Sequence, residues 1–252
     1  MDYKVLKESW LKEEERSFKG WDFSYLEGRW DGEHLPWDYK SILIKYLKDE
    51  YKLLDMGTGG GEFLLTLGHP YKNTTITESW EPNVELCRET LAPLGITVKQ
   101  VIEDSKLPFE DNSFDMIINR HESFDVKEIS RILKPSGIFI TQQVGGKNNE
   151  ILSKRLIKDF KPEFEFNTLE YTVNSLKENS FEVIYEEECY PYLRFFDVGA
   201  IVYFAKIIPW EFPNFSVEDS FDELCKIHKE IEEKSYFDSL EHRFIVVCKN
   251  MK

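Results

Sequence analysis

Asp55 and Glu62 bracket a glycine-rich turn, Gly57-Thr58-Gly59-Gly60-Gly61, in the stretch Tyr-Lys-Leu-Leu-Asp-Met-Gly-Thr-Gly-Gly-Gly-Glu-Phe-Leu-Leu-Thr-Leu that spans residues 51–67. Glycine at that density lets a backbone turn tightly and lets a ligand come closer than a Cβ would permit. Roughly 20 residues further on comes Glu78, the spacing at which an acid at the tip of the next strand takes both hydroxyls of a ribose. The pattern points to a nucleoside cofactor. A dinucleotide pyrophosphate prefers helix amides with no negative charge nearby, whereas acids on both sides of the turn suit a cofactor that carries positive charge and no phosphate. S-adenosylmethionine, with its sulfonium and ammonium, is such a molecule.

The elements that must position these residues follow from periodicity. Leu53, Leu54 and Met56 form the short apolar run of a buried parallel strand, and Phe63, Leu64, Leu65 and Leu67 resume at helical spacing. Thr74–Thr77 reads as a second strand, Pro82–Leu91 as a helix with Pro82 in its first turn, and Thr97–Ile102 as a third strand leading into Glu103-Asp104-Ser105. Met116–Ile118 is a fourth strand, stopping at Asn119-Arg-His-Glu-Ser123; a helix over Lys127–Leu133 and a strand over Ile138–Gln142 follow. Strand–helix alternation predicts a parallel, doubly wound sheet whose ligands lie outside the carboxyl ends of the strands. Beyond residue 146 the pattern predicts a helix over Leu169–Asn179, strands over Phe181–Glu186 and His242–Lys249, and a helix over Asp197–Lys206.

Ahead of the first strand, a thin apolar stripe predicts a surface helix within residues 1–20 and a fuller one predicts a helix over 37–49. Between them Trp21, Phe23, Tyr25, Trp30 and Trp37 supply rings that either pack this segment down or form a lid over a ligand. The expected organisation is one domain: a cap over residues 1–45, a cofactor-binding core over 46–145, and remaining core strands over 146–252 with an acceptor-side insertion at about 190–240.

A formal charge of −15, from 32 basic and 47 acidic residues with no basic cluster, disfavours a nucleic-acid partner. The four cysteines are scattered, with no histidine at metal-ligand spacing, so no metal site is expected and a reducing compartment is. The charged N-terminal residues do not form a secretory signal, and no apolar run reaches membrane-spanning length. A cytoplasmic protein is expected; its oligomeric state is not readable.

Residues 45–145 resemble the class I S-adenosylmethionine-dependent methyltransferases, the group related to the ubiquinone and menaquinone biosynthesis enzymes. The likeness rests on Leu53-Leu-Asp-Met-Gly-Thr-Gly-Gly-Gly61, Glu78, Asp104 ahead of Leu107-Pro-Phe109, and Ser113-Phe-Asp-Met-Ile117 followed by Leu133-Lys-Pro-Ser-Gly137. It implies an α/β fold with a doubly wound, mostly parallel seven-stranded sheet, the last strand an antiparallel partner, carrying an N-terminal lid and a late helical insertion. It also implies S-adenosylmethionine as cofactor. Gly57 and Gly59, with Thr58 between them, would admit the methionine and ribose parts, and Asp55 would anchor the loop and the ammonium region. Glu78 and Ser79 would meet the ribose, Asp104 and Ser105 the adenine amino group, and Asn119 and Arg120 would lie beside the methyl donor. The chain departs from the commoner pattern in having Glu rather than Asp at 78 and Trp at 80.

Methyl transfer is an in-line displacement at an activated carbon, so a base is needed only when the acceptor must lose a proton. His121, just past the fourth strand, is the candidate base and Glu122 the second candidate. Gln142 and Gln143 could orient a polar acceptor or satisfy loop backbone. Arg194 with Tyr190, Tyr192, Phe195 and Phe196 could line an acceptor pocket or simply pack. A small-molecule acceptor is expected. The alternatives are an RNA methyltransferase resembling the ribosomal guanine-N1 enzymes, and a non-enzymatic nucleoside-binding protein.

Overall fold

The computed structural model describes residues 2–18 and 23–252; Trp21, counted above among the lid aromatics, lies outside them. The chain forms two compact units, a core of residues 36–144, 167–188 and 244–252, and a second unit of 1–35, 145–166 and 189–243.

The core is built on a seven-stranded sheet. Its strands are β1 (Leu53–Met56), β2 (Thr74–Glu78), β3 (Thr97–Gln100), β4 (Phe114–Arg120), β5 (Leu133–Val144), β6 (Phe181–Cys189) and β7 (Arg243–Asn250), in the order β3-β2-β1-β4-β5-β7-β6. The pairs β1–β2, β1–β4, β2–β3 and β4–β5 are parallel. This is the expected doubly wound, mostly parallel α/β sheet. The chain order reverses between β1 and β4, and ligands of such sheets sit at that switch point. Every residue of β1 is buried, as a strand covered on both faces requires. Leu54, Ile117, Phe139, Phe244 and Val246 are wholly enclosed on one side of the sheet, each burial contributing about 1.5–3 kcal/mol.

Five helices flank these strands: α1 (Tyr39–Tyr46), α2 (Glu62–Leu65), α3 (Glu81–Thr90), α4 (Val126–Ile132) and α5 (Leu169–Glu178). Their starts are chemically marked. Asp38 caps α1 through Ser41 N, Asp125 caps α4 through Glu128 N, Thr168 caps α5 through Tyr171 N, and Pro82 sits in the first turn of α3. Between β4 and β5, Phe114 pairs with Leu133 but Met116 pairs with Ile138. Lys134-Pro-Ser-Gly137, which reads in the sequence as the end of a helix, is therefore a bulge inside a twelve-residue strand.

The second unit packs helices Tyr3–Glu14, Glu150–Leu156, Val198–Ile207 and Val217–Lys234 with a three-stranded antiparallel sheet of Trp30–Gly32, Tyr192–Phe195 and Phe237–Leu240. Its centre is Val198–Ile207, in which every residue but Lys206 is buried. A helix apolar all round belongs in a core.

Candidate functional site

The turn after β1 runs from Asp55, inside the strand, to Glu62, the first residue of α2. Gly57 and Gly59 have φ of +65° and +63°, a left-handed conformation that costs other L-residues roughly 1–2 kcal/mol. That geometry aims Gly59 N at the end of β2, where it donates to Glu78 Oε2 at 2.8 Å. The other Glu78 oxygen accepts from Ser79 N at 3.0 Å and Trp80 N at 3.3 Å. Glu78 thus ties the glycine turn to β2 through backbone amides. Asp55, at 6% exposure, accepts the Thr58 hydroxyl at 2.7 Å. Burial pushes its carboxyl up to about 7, against the Thr58 bond and the Arg120 charge.

The loop after β4 is braced from β5. His121 N donates to Gln142 O at 2.8 Å. Gln143 Nε2 donates to Asn119 Oδ1 at 2.7 Å and to Glu122 O at 2.9 Å, and Thr141 Oγ1 donates to Asn119 Oδ1 at 3.2 Å. With Asn119 at 0% exposure, its amide works inside the sheet. Gln143 satisfies loop backbone, the second of its two sequence readings. From the N-terminal side, Tyr39 OH donates to Asn119 O at 3.1 Å, and Phe63 supports the Arg120 guanidinium 4.4 Å above its ring. Trp37 Nε1 donates to Gln142 Oε1 at 2.8 Å, which leaves Gln142 Nε2 to donate to His121 Nε2, 3.1 Å away. His121 Nε2 is the acceptor there, and its proton sits on Nδ1.

The segment leading from β3 to Phe109 is held by α4. Arg131 donates to the carbonyls of Phe109 and Leu107 at 2.7 and 3.1 Å, and Leu107 N donates to Glu128 Oε2 at 2.8 Å. This fixes Leu107-Pro-Phe109 and, ahead of it, Asp104, whose Oδ2 accepts the Ser123 hydroxyl. Ser105 turns away, donating to Glu103.

These strand ends border a small, half-open cleft lined by Met56, Gly57, Thr77, Glu78, Ser79, Val101, Asp104 and Glu122. Five of the residues expected from the sequence, Gly57, Glu78, Ser79, Asp104 and Glu122, are brought together there. Asp55, Thr58 and Gly59 stand one bond behind the lining. Ser105, Asn119, Arg120 and His121 lie outside it. Met56, Thr77 and Val101 were not anticipated as lining, although each lies at or next to the carboxyl end of a strand recognised in the sequence. Gln143, Trp37 and Tyr39 act as supports, which only the pairing of β4 with β5 and the placement of α1 reveal.

The charge of the cleft is one-sided: its ionisable linings are Glu78, Asp104 and Glu122. Burial pushes the Glu122 carboxyl up to about 7, Asp104 and Glu78 pushing the same way and the Ser123 amide opposing. Cys87, whose thiol donates to Gly59 O at 3.2 Å, is pushed up to about 11 by burial and then by Glu78, Glu62 and Asp55. An anionic ligand would have to overcome this field, and a cation is drawn into it.

Residues 54–141 match the family model described as a methyltransferase domain. Among solved structures, the chain is similar to the YcgJ protein of Bacillus subtilis, at 15% identity and a TM-score of 0.56, over 84% of this chain and 98% of that one. It is also similar to a protein of Bacillus halodurans C-125 proposed to be a methyltransferase, at 15% identity and a TM-score of 0.54, over 85% and 99% of the two chains. A third likeness is to an S-adenosylmethionine-dependent methyltransferase of Methanosarcina mazei, at 17% identity and a TM-score of 0.50, over 83% and 97%. No curated protein matches the chain in sequence. The likenesses to structures show the fold, and the match over residues 54–141 points to methyl transfer.

Proposed function

We propose that this S-adenosylmethionine-dependent methyltransferase methylates a small-molecule acceptor, with the donor held in the acidic cleft at the ends of β1, β2 and β3. The observation that carries the reading is the composition of that cleft: three carboxylates and a glycine turn, with no lysine or arginine among the lining residues. These residues fit a cationic nucleoside. The missing side chain at Gly57 lets the Glu122 carboxyl lie over the turn, and Glu78, Ser79 and Asp104 offer acceptors to hydroxyl and amino groups. When bound, S-adenosylmethionine supplies a methyl group already activated by the positive sulfur.

In this reading Glu78 does two things, fastening the turn through its amide bonds and accepting from the ribose diol, while Asp104 accepts from the base amino group. Asp55 and Thr58 hold the turn in shape, and Gly59 and Ser105 complete the backbone wall. Asn119 and Arg120 support the floor from β4. His121 is the group we assign to proton removal, where the acceptor needs it. Its Nε2 must first be released by Gln142, because that lone pair is already taken. The group within the wider family, whether of the ubiquinone and menaquinone type, is part of the proposal, as is a cytoplasmic site of action. No helix among the described residues is long and apolar enough to cross a membrane.

The formal charge of −15 supports a small acceptor over RNA. The test is to incubate the protein and a cell extract with methyl-labelled S-adenosylmethionine and to separate products by size. Label in the small-molecule fraction is expected. Label confined to RNA would overturn the acceptor class, and calorimetry showing no binding of either S-adenosylmethionine or S-adenosylhomocysteine would overturn the donor as well.

A further inference from the structure

Three carboxylates line the cleft, but they are not equivalent. Both Glu78 oxygens are engaged by the amides of Gly59, Ser79 and Trp80, and Asp104 is engaged by the Ser123 hydroxyl. Glu122 is set apart by where it lies: its carboxyl takes the Ser123 amide, its backbone carbonyl is pinned by Gln143, and its side chain lies across Gly57 so closely that a Cβ on that glycine would sit 2.6 Å from Glu122 Cβ and from Oε2. The absence of a side chain at 57 is what allows the Glu122 carboxyl to reach the cleft.

We propose that Glu122 is the residue that distinguishes donor from product: its carboxyl, laid over Gly57, stabilises the positively charged sulfonium and has no such effect on the neutral thioether left after transfer. The proposal rests on the reading of the cleft as an S-adenosylmethionine site. It gives Glu122 a role on the donor side, distinct from that of a base for the acceptor. Donor and product share the adenosine, the ammonium and the carboxylate, so the hydrogen bonds those parts make cancel in the ratio of their affinities, and what differs is the response of the acids to the charge on sulfur. The charge on sulfur remains, and with it the group that answers that charge.

The carboxyl also resists ionisation, being pushed up to about 7. The groups that face it are acids, Glu78 from β2 and Asp104 from the segment after β3, with Asp55 coupled to Glu78 behind them. On its own segment Arg120 is committed to Phe63 and His121 is bonded to Gln142. A cation in the cleft offsets the acidic field and favours the carboxylate. Binding of the sulfonium near or below neutral pH therefore expels a proton, and binding of the thioether does not.

The experiment is calorimetry with S-adenosylmethionine and S-adenosylhomocysteine, in buffers of different ionisation enthalpy, between pH 6 and pH 8.5. The ratio of the two affinities is expected to rise in favour of the donor by about tenfold as pH passes 7, one unit of displaced titration being a factor of ten. Proton release should accompany only the donor. Glu122→Gln should bind S-adenosylhomocysteine normally, which also shows that the cleft is intact, with a ratio reduced about tenfold and flat in pH; Glu122→Asp should restore part of the slope. A ratio flat with pH in the unmodified protein, or unchanged in Glu122→Gln, would overturn the proposal. Failure of both ligands to bind would overturn instead the donor reading on which it rests.

Discussion

Around Arg29, in the second unit, two carboxylates converge on one guanidinium: its Nη2 lies 2.6 Å from Asp197 Oδ1 and 3.0 Å from Glu13 Oε1, and Tyr25 OH adds a bond to Glu13. Around Gly57, in the core, three carboxylates converge on a cleft lined by no cation. The same pairing recurs elsewhere in the second unit, with Arg155 on Glu223 and Glu230 and Arg194 on Asp238. Acids that serve the fold have been given partners, whereas those of the cleft keep their field available for a ligand. Burial first, and the neighbouring acids after it, raise the carboxyls of Asp55 and Glu122.

The largest expected effect comes from closing the space over the turn. Gly57→Val places a branched Cβ against Glu122 in a backbone conformation that β-branched residues resist. We expect a loss of about 3 kcal/mol in donor affinity, roughly a hundredfold, read by calorimetry with S-adenosylmethionine. Undiminished affinity would mean that the turn is not the donor site and that the contrast between the units has no functional content.

Asp55 sharpens the contrast through pH. Its folded carboxyl is raised to about 7, well above the unfolded value near 4. The folded protein therefore holds a proton that the unfolded chain has released, and stability falls as pH rises from about 4 to 7, staying low above that. Asp55→Asn removes this penalty. It should stabilise the protein by on the order of 2–4 kcal/mol at pH 8 and have little effect at pH 4, measured by urea unfolding, while weakening donor binding. In the second unit the sign is opposite. Arg29→Ala leaves Glu13 and Asp197 facing each other and should cost about 2 kcal/mol at neutral pH, lowering the melting temperature with the donor affinity unchanged. A drop in donor affinity to match the lost stability would show that the two kinds of acid are not separable.

The unit that holds the acidic cleft was the more readable in advance, and the reason is local. The glycine turn, Glu78 and Asp104 lie at strand ends spaced by single βα units, so short-range periodicity places them. The second unit is assembled from pieces far apart in sequence. Tyr192–Phe195 alternates as a strand should, Leu193 and Phe195 inward and Tyr192 and Arg194 outward, yet its neighbours are Trp30–Gly32 and Phe237–Leu240. Nothing nearby announces either pairing, and the aromatics were open to reading as a pocket wall. Phe195 is wholly buried and Arg194 is paired with Asp238. The long helix Val217–Lys234 does not announce itself in the sequence, because its buried members, Leu224, Cys225 and Ile227 among them, are sparse among charges. Within the site, Gln143 could be named but not assigned, since its partners Asn119 and Glu122 are set by the register of β4 on β5.

The smallest effect tests whether the neutral supports of the core are as exact as its charged lining is exposed. Trp37 is 8% exposed, and its indole N–H occupies the Gln142 oxygen; that occupation decides which end of the Gln142 amide meets His121. Trp37→Phe removes the donor and leaves a buried carbonyl oxygen short of a partner, costing about 1 kcal/mol. Freed from the indole, the Gln142 amide can turn over and present its oxygen to His121 Nε2, which then holds the proton. Nitrogen NMR of the imidazole should report a histidine protonated on Nδ1 in the unmodified protein and a mixture of the two tautomers in the variant. An unchanged tautomer would mean that His121 is set by something other than Gln142, and that the base proposed for the acceptor side is not positioned through Trp37. A changed tautomer with unaltered donor affinity would separate the two sides of the site: acids over the glycine turn hold the donor, and a chain of neutral hydrogen bonds from Trp37 aims the group that serves the acceptor.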